Sequence, residues 1–400
     1  MKQLRIALLT YSTKPRGGVT HTINLAESLA RLGHDVHVYA LSTGKGFPSE
    51  VGVPHTLIQC PVKEYWGIDE KITDYIDTYT SYLAAEGLDY DILHAEDCIS
   101  ANALLNLREK GHIDSYVRTV HHVDDFTSAC LIECQDKSLR EPDYLIAVSE
   151  HWKKELEAKY SLESEVINNG VDYGTYSSVR GGDKESAKKE FGAEGAKVML
   201  SIGGIEPRKN TITALRAYNA AKAYLAAQGE RLVWLIGGGE TLFDYRAYRH
   251  EFFSELARLG LKENSDVIVL GNVPAGKMPL LYASADVFAF PSVKEGWGLV
   301  LLEAMSAGVP VVSSNIPPMT EFLRNGENAV LVDPADYKGL ARGILEVVED
   351  PELAARLAAS GDETARFYSW ESAAQRHAEL YGSILEERSG ENIKRAGRHA

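Results

Sequence analysis

Asp286-Val287-Phe288-Ala289-Phe290-Pro291-Ser292-Val293-Lys294-Glu295-Gly296-Trp297-Gly298-Leu299-Val300-Leu301-Leu302-Glu303-Ala304-Met305-Ser306-Ala307-Gly308-Val309-Pro310 reads as a buried strand, a glycine-bearing turn and a helix. The apolar run ends at Pro291-Ser292, and a helix over 297–307 is expected to stop at Gly308, with Pro310 just beyond. A strand feeding a helix through a glycine turn is the repeating unit of an open parallel sheet. Its helix start carries free backbone N–H groups and the positive end of the helix dipole, which together favour an anion. Leu299 and Val300 are the expected first-turn donors, and Gly296 and Gly298 allow a ligand close to the backbone. Glu295 and Glu303 stand eight residues apart, about 12 Å in a continuous helix. Carboxylates on either side of a phosphate-binding helix start suit a diphosphate with a sugar on one side and a ribose on the other. The plain alternative is an amphipathic helix whose glutamates face water; the Gly-Trp-Gly turn behind a strand weighs against it.

Outward from this unit the same grammar repeats. In the first half, short apolar runs occupy 4–10, 35–41, 55–60, 91–95, 116–121, 144–149 and 165–168; in the second, 197–203, 231–237, 266–271, 286–290, 309–313 and 329–332. Runs of this length between helix-period segments predict parallel sheets covered on both faces. Four hundred residues exceed one ordinary core and suit two domains. Asn169-Gly170-Val171-Asp172 closes the first series, and 173–195, polar and lacking strand pattern, reads as the linker. The expected division is 1–172 and 173–369, followed by 370–388 and a tail, 389–400, whose low apolar content predicts fraying. Two open parallel sheets facing each other across a cleft bind ligands at the carboxyl ends of their strands.

Composition narrows the classes. With 44% hydrophobic and 25% charged residues the chain is globular. A net charge of −15 argues against nucleic acid or an anionic membrane surface as partner. The four cysteines, Cys60, Cys98, Cys130 and Cys134, are too few for a disulfide scaffold. The first apolar run is too short for a signal peptide, and no stretch has the length of a membrane span, so a cytoplasmic protein is expected. Oligomeric state leaves no mark.

Two further segments carry chemistry. Ser201-Ile202-Gly203-Gly204-Ile205-Glu206-Pro207-Arg208-Lys209-Asn210 sets two cations at a strand end, where a departing nucleoside diphosphate must be neutralised. A solvated basic pair is the alternative. Val117-Arg118-Thr119-Val120-His121-His122 ends another strand in two histidines, and position raises His121 above a structural histidine. Pro15-Arg16-Gly17-Gly18 precedes a helix, weak evidence by itself. Asp124, Asp125, Cys130 and Cys134 beside the histidines lack the paired spacing of a closed zinc site, so no metal ligand set is expected. Tyr65, Trp66, Tyr75, Tyr79 and Tyr82 could stack on a sugar, but Tyr75, Tyr79 and Tyr82 stand at helical spacing and fit a core stripe as well.

Glu295-x7-Glu303, with Pro291-Ser292 before it and Ala304-Met305-Ser306-Ala307-Gly308-Val309-Pro310 after it, resembles the pattern of glycosyltransferase family 4, retaining enzymes of the two-domain fold called GT-B, with two Rossmann-like, doubly wound domains. The likeness extends over most of the chain and is weakest over 42–90 and after 388. Asn169-Gly170-Val171-Asp172 is similar to the family's domain crossover, and Phe367-Tyr368-Ser369-Trp370-Glu371 to the start of a helix returning to the N-terminal, acceptor-side domain. The resemblance implies that Glu295 holds hydroxyls of the donor sugar, Glu303 the ribose, and the N–H groups of Leu299 and Val300 the diphosphate. It implies Lys209 as the diphosphate lysine, backbone at Val273 beside the base, Gly17 and Gly18 as the loop over phosphates and acceptor, and His121 as the active-site histidine. One departure stands out: the family's arginine after the first glycine of the clamp is Gly204 here, and Arg208 is the candidate replacement.

The expected activity is therefore transfer of a hexosyl or related sugar from a UDP-, GDP- or ADP-linked donor to an acceptor hydroxyl, with retention of configuration, without metal and without a bound cofactor. A sugar-nucleotide epimerase on the same fold and a non-catalytic sugar-nucleotide-binding protein remain as alternatives. A phosphorylase-like enzyme lacks its pyridoxal phosphate lysine motif. Ile236-Gly237-Gly238-Gly239-Glu240 prompts a nicotinamide enzyme but lacks the G-x-G-x-x-G spacing.

Overall fold

The structure is a computed structural model that describes residues 2–14, 16–239 and 245–396, with side chains to residue 389. Pro15, Glu240 and the last four residues of the expected tail lie outside the described residues.

The chain divides into two compact units, one running to Gly170 and rejoined from Trp370 onward, the other Val171–Ser369. The first is built on β1 (Arg5–Thr10), β2 (Asp35–Ser42), β3 (His55–Gln59), β4 (Ile92–Ala95), β5 (Val117–Val120), β6 (Tyr144–Ala147) and β7 (Glu165–Val166), in the order β3-β2-β1-β4-β5-β6-β7. The second carries β8 (Lys197–Ile202), β9 (Leu232–Gly237), β10 (Val267–Gly271), β11 (Val287–Phe290), β12 (Val311–Ser314) and β13 (Val330–Val332), in the order β10-β9-β8-β11-β12-β13. Every pairing is parallel. Helices follow the strands, and β1, β4, β5, β8, β9, β11 and β12 are buried almost throughout because both faces are covered. Each expected apolar run coincides with one of these strands, β2 and β12 extending one residue past theirs.

In both units the chain reverses direction across the sheet beside its first strand: β1 pairs with β2 and β4, β8 with β9 and β11. At such a reversal the loops leave the strand ends on opposite sides and open a crevice for ligand. In the second unit buried polar groups tie the central strands together. Trp234 Nε1 donates to Ser201 Oγ at 3.0 Å, and Ser201 Oγ donates to the Ala289 carbonyl at 2.8 Å.

Three expectations need correction. The segment 173–195 is more than a linker. It forms the short helices Tyr173–Ser177 and Lys184–Glu190, and its cations hold onto the second unit: Arg180 donates to the Ser306 and Met305 carbonyls and Lys188 pairs with Asp286 at 2.9 Å. The helix from Trp370 continues to Ala396 rather than giving way to a tail at 389. It belongs to the first unit, where Tyr381 and His94 share a 2.6 Å hydrogen bond and Arg376 donates to the Val166 carbonyl. The third correction concerns the helix after β11.

Candidate functional site

That helix spans Leu299–Ser306, two residues shorter at its start than the pattern suggests. Gly298 caps it with φ +105°, a left-handed conformation that no residue with a side chain adopts cheaply. Trp297 therefore leaves the helix and is buried, ring centroids 4.9 Å from Phe322 and 5.2 Å from Tyr368. Leu299 and Val300 become the first two helical residues, so their N–H groups are the first-turn donors of a helix without an acidic residue in that turn.

Ahead of this helix start lies a charged cluster. Glu295, 7% exposed, accepts from Lys209 Nζ at 2.7 Å on one oxygen and from Arg208 Nη1 at 2.8 Å on the other. Burial alone would push the Glu295 carboxyl up, but the two cations hold it at about 2. Burial and the neighbouring Arg208 lower the Lys209 pKa, while Glu295 acts the other way. Lys209 Nζ also lies 4.5 Å from the Phe290 ring centroid, and buried Glu206 stands 3.7 Å from Arg208. Two cations thus face two carboxylates, and the cluster is near neutral before any ligand enters.

Backbone packing explains how the cations reach this spot. Pro207–Lys209 form a single 3-10 turn, pinned by Asn210, which donates to the Pro291 and Pro334 carbonyls at 3.1 and 2.8 Å. The Val293 amide donates to the Arg208 carbonyl at 2.9 Å, coupling the clamp to the turn after β11. Lys209 runs across Gly203, where an added Cβ would sit 2.4 Å from Lys209 Cε. Gly204 has φ +75° and its added Cβ would be 2.9 Å from the Gly239 carbonyl oxygen. No arginine fits at 204 on this backbone; Arg208 shares the Glu295 carboxylate with Lys209 instead. The glycines of 237–239 serve that same close approach of strand ends, with Gly203 and Gly204 amides donating to the Gly237 carbonyl at 2.8 and 3.0 Å. A dinucleotide loop is not needed to explain them. Val273, just past β10, is half-buried against the same end of the sheet.

Glu303 sits one turn into the helix. Tyr282 donates its hydroxyl to Glu303 Oε2 at 2.7 Å, and Tyr176 donates as well. Burial raises the Glu303 carboxyl and the two tyrosines oppose it. Neither tyrosine was legible as a site residue, because Tyr176 lies in the segment read as linker and Tyr282 in a short helix with no motif around it.

In the first unit His121 follows β5 by one residue. Gly18 lies against it, its added Cβ 3.7 Å from His121 Cδ2, and Gly17 opens the helix Gly17–Arg31. His121 Nε2 is 3.1 Å from Glu96 Oε2. Burial depresses its pKa to about 4 against the pull of Glu96, so the ring is neutral at pH 7. Glu96, 2% exposed, follows β4 as His121 follows β5, and His21 from the next helix stands 3.4 Å from the same carboxylate oxygen. Burial penalises the Glu96 anion, yet the surrounding imidazoles hold its carboxyl well below the usual range. His21 and Glu96 were missed. The strand-end argument made for His121 applies equally to Glu96, whereas His21 carries no sequence signal. His122 turns to Asp124 at 3.1 Å. Cys134 is buried and receives a hydrogen bond from Asn102, and among the described residues the aspartates and cysteines considered from sequence do not gather as a ligand set. Tyr75 and Tyr79 are core, while Trp66 is fully exposed.

The chain matches two family models, "Glycosyltransferase Family 4" over residues 15–174 and "Glycosyl transferases group 1" over 183–364. It is 27% identical to the D-inositol 3-phosphate glycosyltransferase of Corynebacterium urealyticum, over 95% of this chain and 96% of the relative. Among solved structures it resembles HepE of Anabaena in complex with UDP-glucose, with TM-score 0.79 and 21% identity over 95% of this chain and all of that one. Sucrose-phosphate synthase of Thermosynechococcus elongatus matches with TM-score 0.78 and 20% identity, over 96% of this chain and all of that one. At such identities the solved structures speak for the fold. Among the described residues no helix is long and apolar enough to cross a membrane.

Proposed function

Because the chain belongs to the group 1 glycosyltransferases, transferases built on the GT-B fold, we propose that it moves a hexosyl group from a nucleoside-diphosphate sugar to an acceptor hydroxyl with retention of anomeric configuration. The observation that carries this reading is the convergence of Arg208 and Lys209 on Glu295 ahead of the glycine-capped helix start at Leu299.

Cleaving the bond between the anomeric carbon and the phosphate oxygen sends the electron pair to the departing diphosphate and leaves positive character on the sugar. Lys209, Arg208 and the Leu299 and Val300 amides stabilise that diphosphate charge, a contact of this kind being worth about 3 kcal/mol. The acceptor hydroxyl then bonds to the anomeric carbon from the face the diphosphate leaves, and its proton passes to a departing phosphate oxygen. No metal is needed at the diphosphate when two cations and a helix start stand there.

Glu295 turns one carboxylate oxygen to sugar hydroxyls as the diphosphate takes over its cations. Glu303, with Tyr282 and Tyr176 behind it, receives the ribose, and backbone at Val273 lines the base. Gly17, Gly18 and His121 are assigned to the sugar and the acceptor, and a cytoplasmic setting supplies the donor. UDP-glucose is the donor to test first, because HepE has been solved with it. The experiment is thermal shift with UDP, GDP and ADP and their glucose conjugates, followed by donor hydrolysis. One diphosphate series at 100 times its dissociation constant should stabilise the protein by about 2.7 kcal/mol, and its sugar should be released slowly to water. A chain that none of the three series stabilises is not a nucleotide-sugar enzyme; stabilisation without any turnover, with or without acceptors, marks a binding protein.

A further inference from the structure

We propose that Glu96 is a positioning residue for His121: it claims the proton-bearing Nε2 of the imidazole and leaves Nδ1 bare, as an acceptor for a substrate hydroxyl. The inference rests on the assignment of His121 to the reacting sugars and adds the residue that sets its chemistry. His121 Nε2 is 3.1 Å from Glu96 Oε2. Burial opposes ionisation of Glu96, but the surrounding imidazoles hold its carboxyl well below the usual range, so it is a carboxylate. A carboxylate offers only lone pairs, and the hydrogen in this contact therefore belongs to the imidazole. Burial depresses the His121 pKa to about 4 although Glu96 pulls the other way, so the ring carries a single proton at pH 7. That proton is on Nε2.

Three elements hold the pair in place. Glu96 follows β4 and His121 follows the adjacent strand β5. The helix Gly17–Arg31 supplies Gly18, whose added Cβ would lie 3.7 Å from His121 Cδ2 and 3.8 Å from Nε2. It also supplies His21, whose ring packs edge-on against His121 with 4.7 Å between centroids. His21 Nε2, 3.4 Å from the same Glu96 oxygen, is the second imidazole donor to it, and the Asn169 side-chain amide lies 3.0 Å from His21 Nδ1. The Cδ2–Nε2 edge of His121 is thus enclosed, whereas its Nδ1 has no hydrogen-bond partner among the described residues. Glu96 is 2% exposed and the His121 side chain 16%, so of the two only the imidazole can meet a substrate.

The other ionisable groups around the pair are engaged elsewhere. His94 Nε2 is 3.7 Å from the second Glu96 oxygen, but both His94 nitrogens have partners, Tyr381 at 2.6 Å and Thr119 at 2.7 Å. His377 binds the Ala373 carbonyl through Nδ1, and Arg118 Nη1 donates to the Thr119 carbonyl. The chemistry of His121 follows from its tautomer. A ring whose one proton is committed to a carboxylate cannot donate that proton to a leaving oxygen, so His121 accepts. Phosphate and ether oxygens bring no hydrogen to a bare nitrogen; a hydroxyl does, and the contact orients it.

The tautomer is read without donor or acceptor, so its outcome is separate from that of the transfer reaction. Long-range ¹H–¹⁵N spectra of the full chain, labelled with ¹⁵N at histidine, are recorded at pH 7, and His121 is identified by the signals lost in His121→Asn. The expected result is a proton entirely on Nε2 and a bare Nδ1. Glu96→Met removes the acceptor, and in the folded variant His121 should become a mixture of both tautomers. Glu96→Gln keeps an oxygen in place and should hold the Nε2–H form. Donor hydrolysis should follow the same order, with kcat about tenfold lower in Glu96→Met, the loss of one hydrogen bond, KM for the donor unchanged, and recovery in Glu96→Gln. An Nε2–H spectrum in a wild-type chain that hydrolyses no donor supports the pairing and counts against the transfer reaction alone. A wild-type His121 that is protonated on Nδ1, or mixed, overturns the proposal, and so does a folded Glu96→Met that keeps the wild-type spectrum.

Discussion

Replacing Lys209 with methionine removes one charge and keeps an apolar stem of similar length across Gly203. Before ligand enters, the wild-type cluster holds Arg208 and Lys209 against Glu206 and Glu295 and is near neutral. The variant is left with one excess negative charge at the place assigned to a diphosphate. Loss of one contact to the leaving group should cost about 3 kcal/mol, a fall of roughly 10²- to 10³-fold in turnover. Folding stability should drop less. Stripping a buried charge of all partners costs about 3–5 kcal/mol, but Glu295 keeps Arg208 at 2.8 Å, so about 2 kcal/mol is expected. The pH dependence separates the two effects. Glu295 has its carboxyl held at about 2 against an ordinary 4.5, so it binds fewer protons folded than unfolded. Its contribution, about 3 kcal/mol, is complete above pH 4.5 and disappears as pH falls through 2. In Lys209→Met the folded value rises toward 4.5, and acid unfolding should begin at higher pH. Donor hydrolysis is measured beside circular-dichroism melts from pH 2 to 7. A folded Lys209→Met protein with wild-type turnover would refute the clamp, and an unshifted acid limb would refute the pairing with Glu295.

Two further substitutions test the helix start and the carboxylate behind it. Gly298→Ala forces a side chain onto φ +105° and brings Cβ to 2.9 Å from Leu301 Cδ1; stability should fall by about 1–2 kcal/mol and nucleotide affinity with it, so a melt indistinguishable from wild type would show that the cap is not strained. Glu303→Gln keeps an acceptor for Tyr282 and Tyr176 but removes the charge. UDP binding by calorimetry should weaken about tenfold, equivalent to about 1.4 kcal/mol, with little change in melting, and an unchanged dissociation constant would remove Glu303 from the ribose site.

Fold and site differ in how much of them the amino-acid order reveals, and the difference has a physical basis. A parallel strand buried on both faces must be a continuous apolar run, so Val287–Phe290 or Leu232–Gly237 announces itself locally. Helix boundaries depend on backbone conformation as well as on side-chain chemistry. Trp297 continues the apolar pattern of the helix behind it, yet the left-handed Gly298 turns it out to pack on Phe322 and Tyr368, residues 25 and 71 positions away that no local reading supplies. The polar stretch after Val171 misled for the opposite reason. Its lysines and arginine look solvated, but Arg180 and Lys184 donate to carbonyls of Ser306 and Ala285 and fasten two short helices to the second unit.

The candidate sites follow the same rule. Arg208, Lys209 and Glu295 could be read because each lies within a few residues of a strand end, and parallel topology gathers such ends at one edge of a sheet. Adjacency of β8 and β11 then does what sequence distance cannot, bringing position 209 to within 2.7 Å of position 295. The rule holds in the first unit, where β4 and β5 are neighbours and deliver Glu96 and His121 to a 3.1 Å contact. Applied evenly, it would have singled out Glu96 together with His121. His21 is of another kind: it enters from a helix face among apolar residues, and only the packing of that helix onto the sheet shows that its Nε2 is aimed at a buried carboxylate. Charges at strand ends can be found by reading; donors aimed inward from helices require coordinates, because a residue of the same type on the same face could equally well have been core.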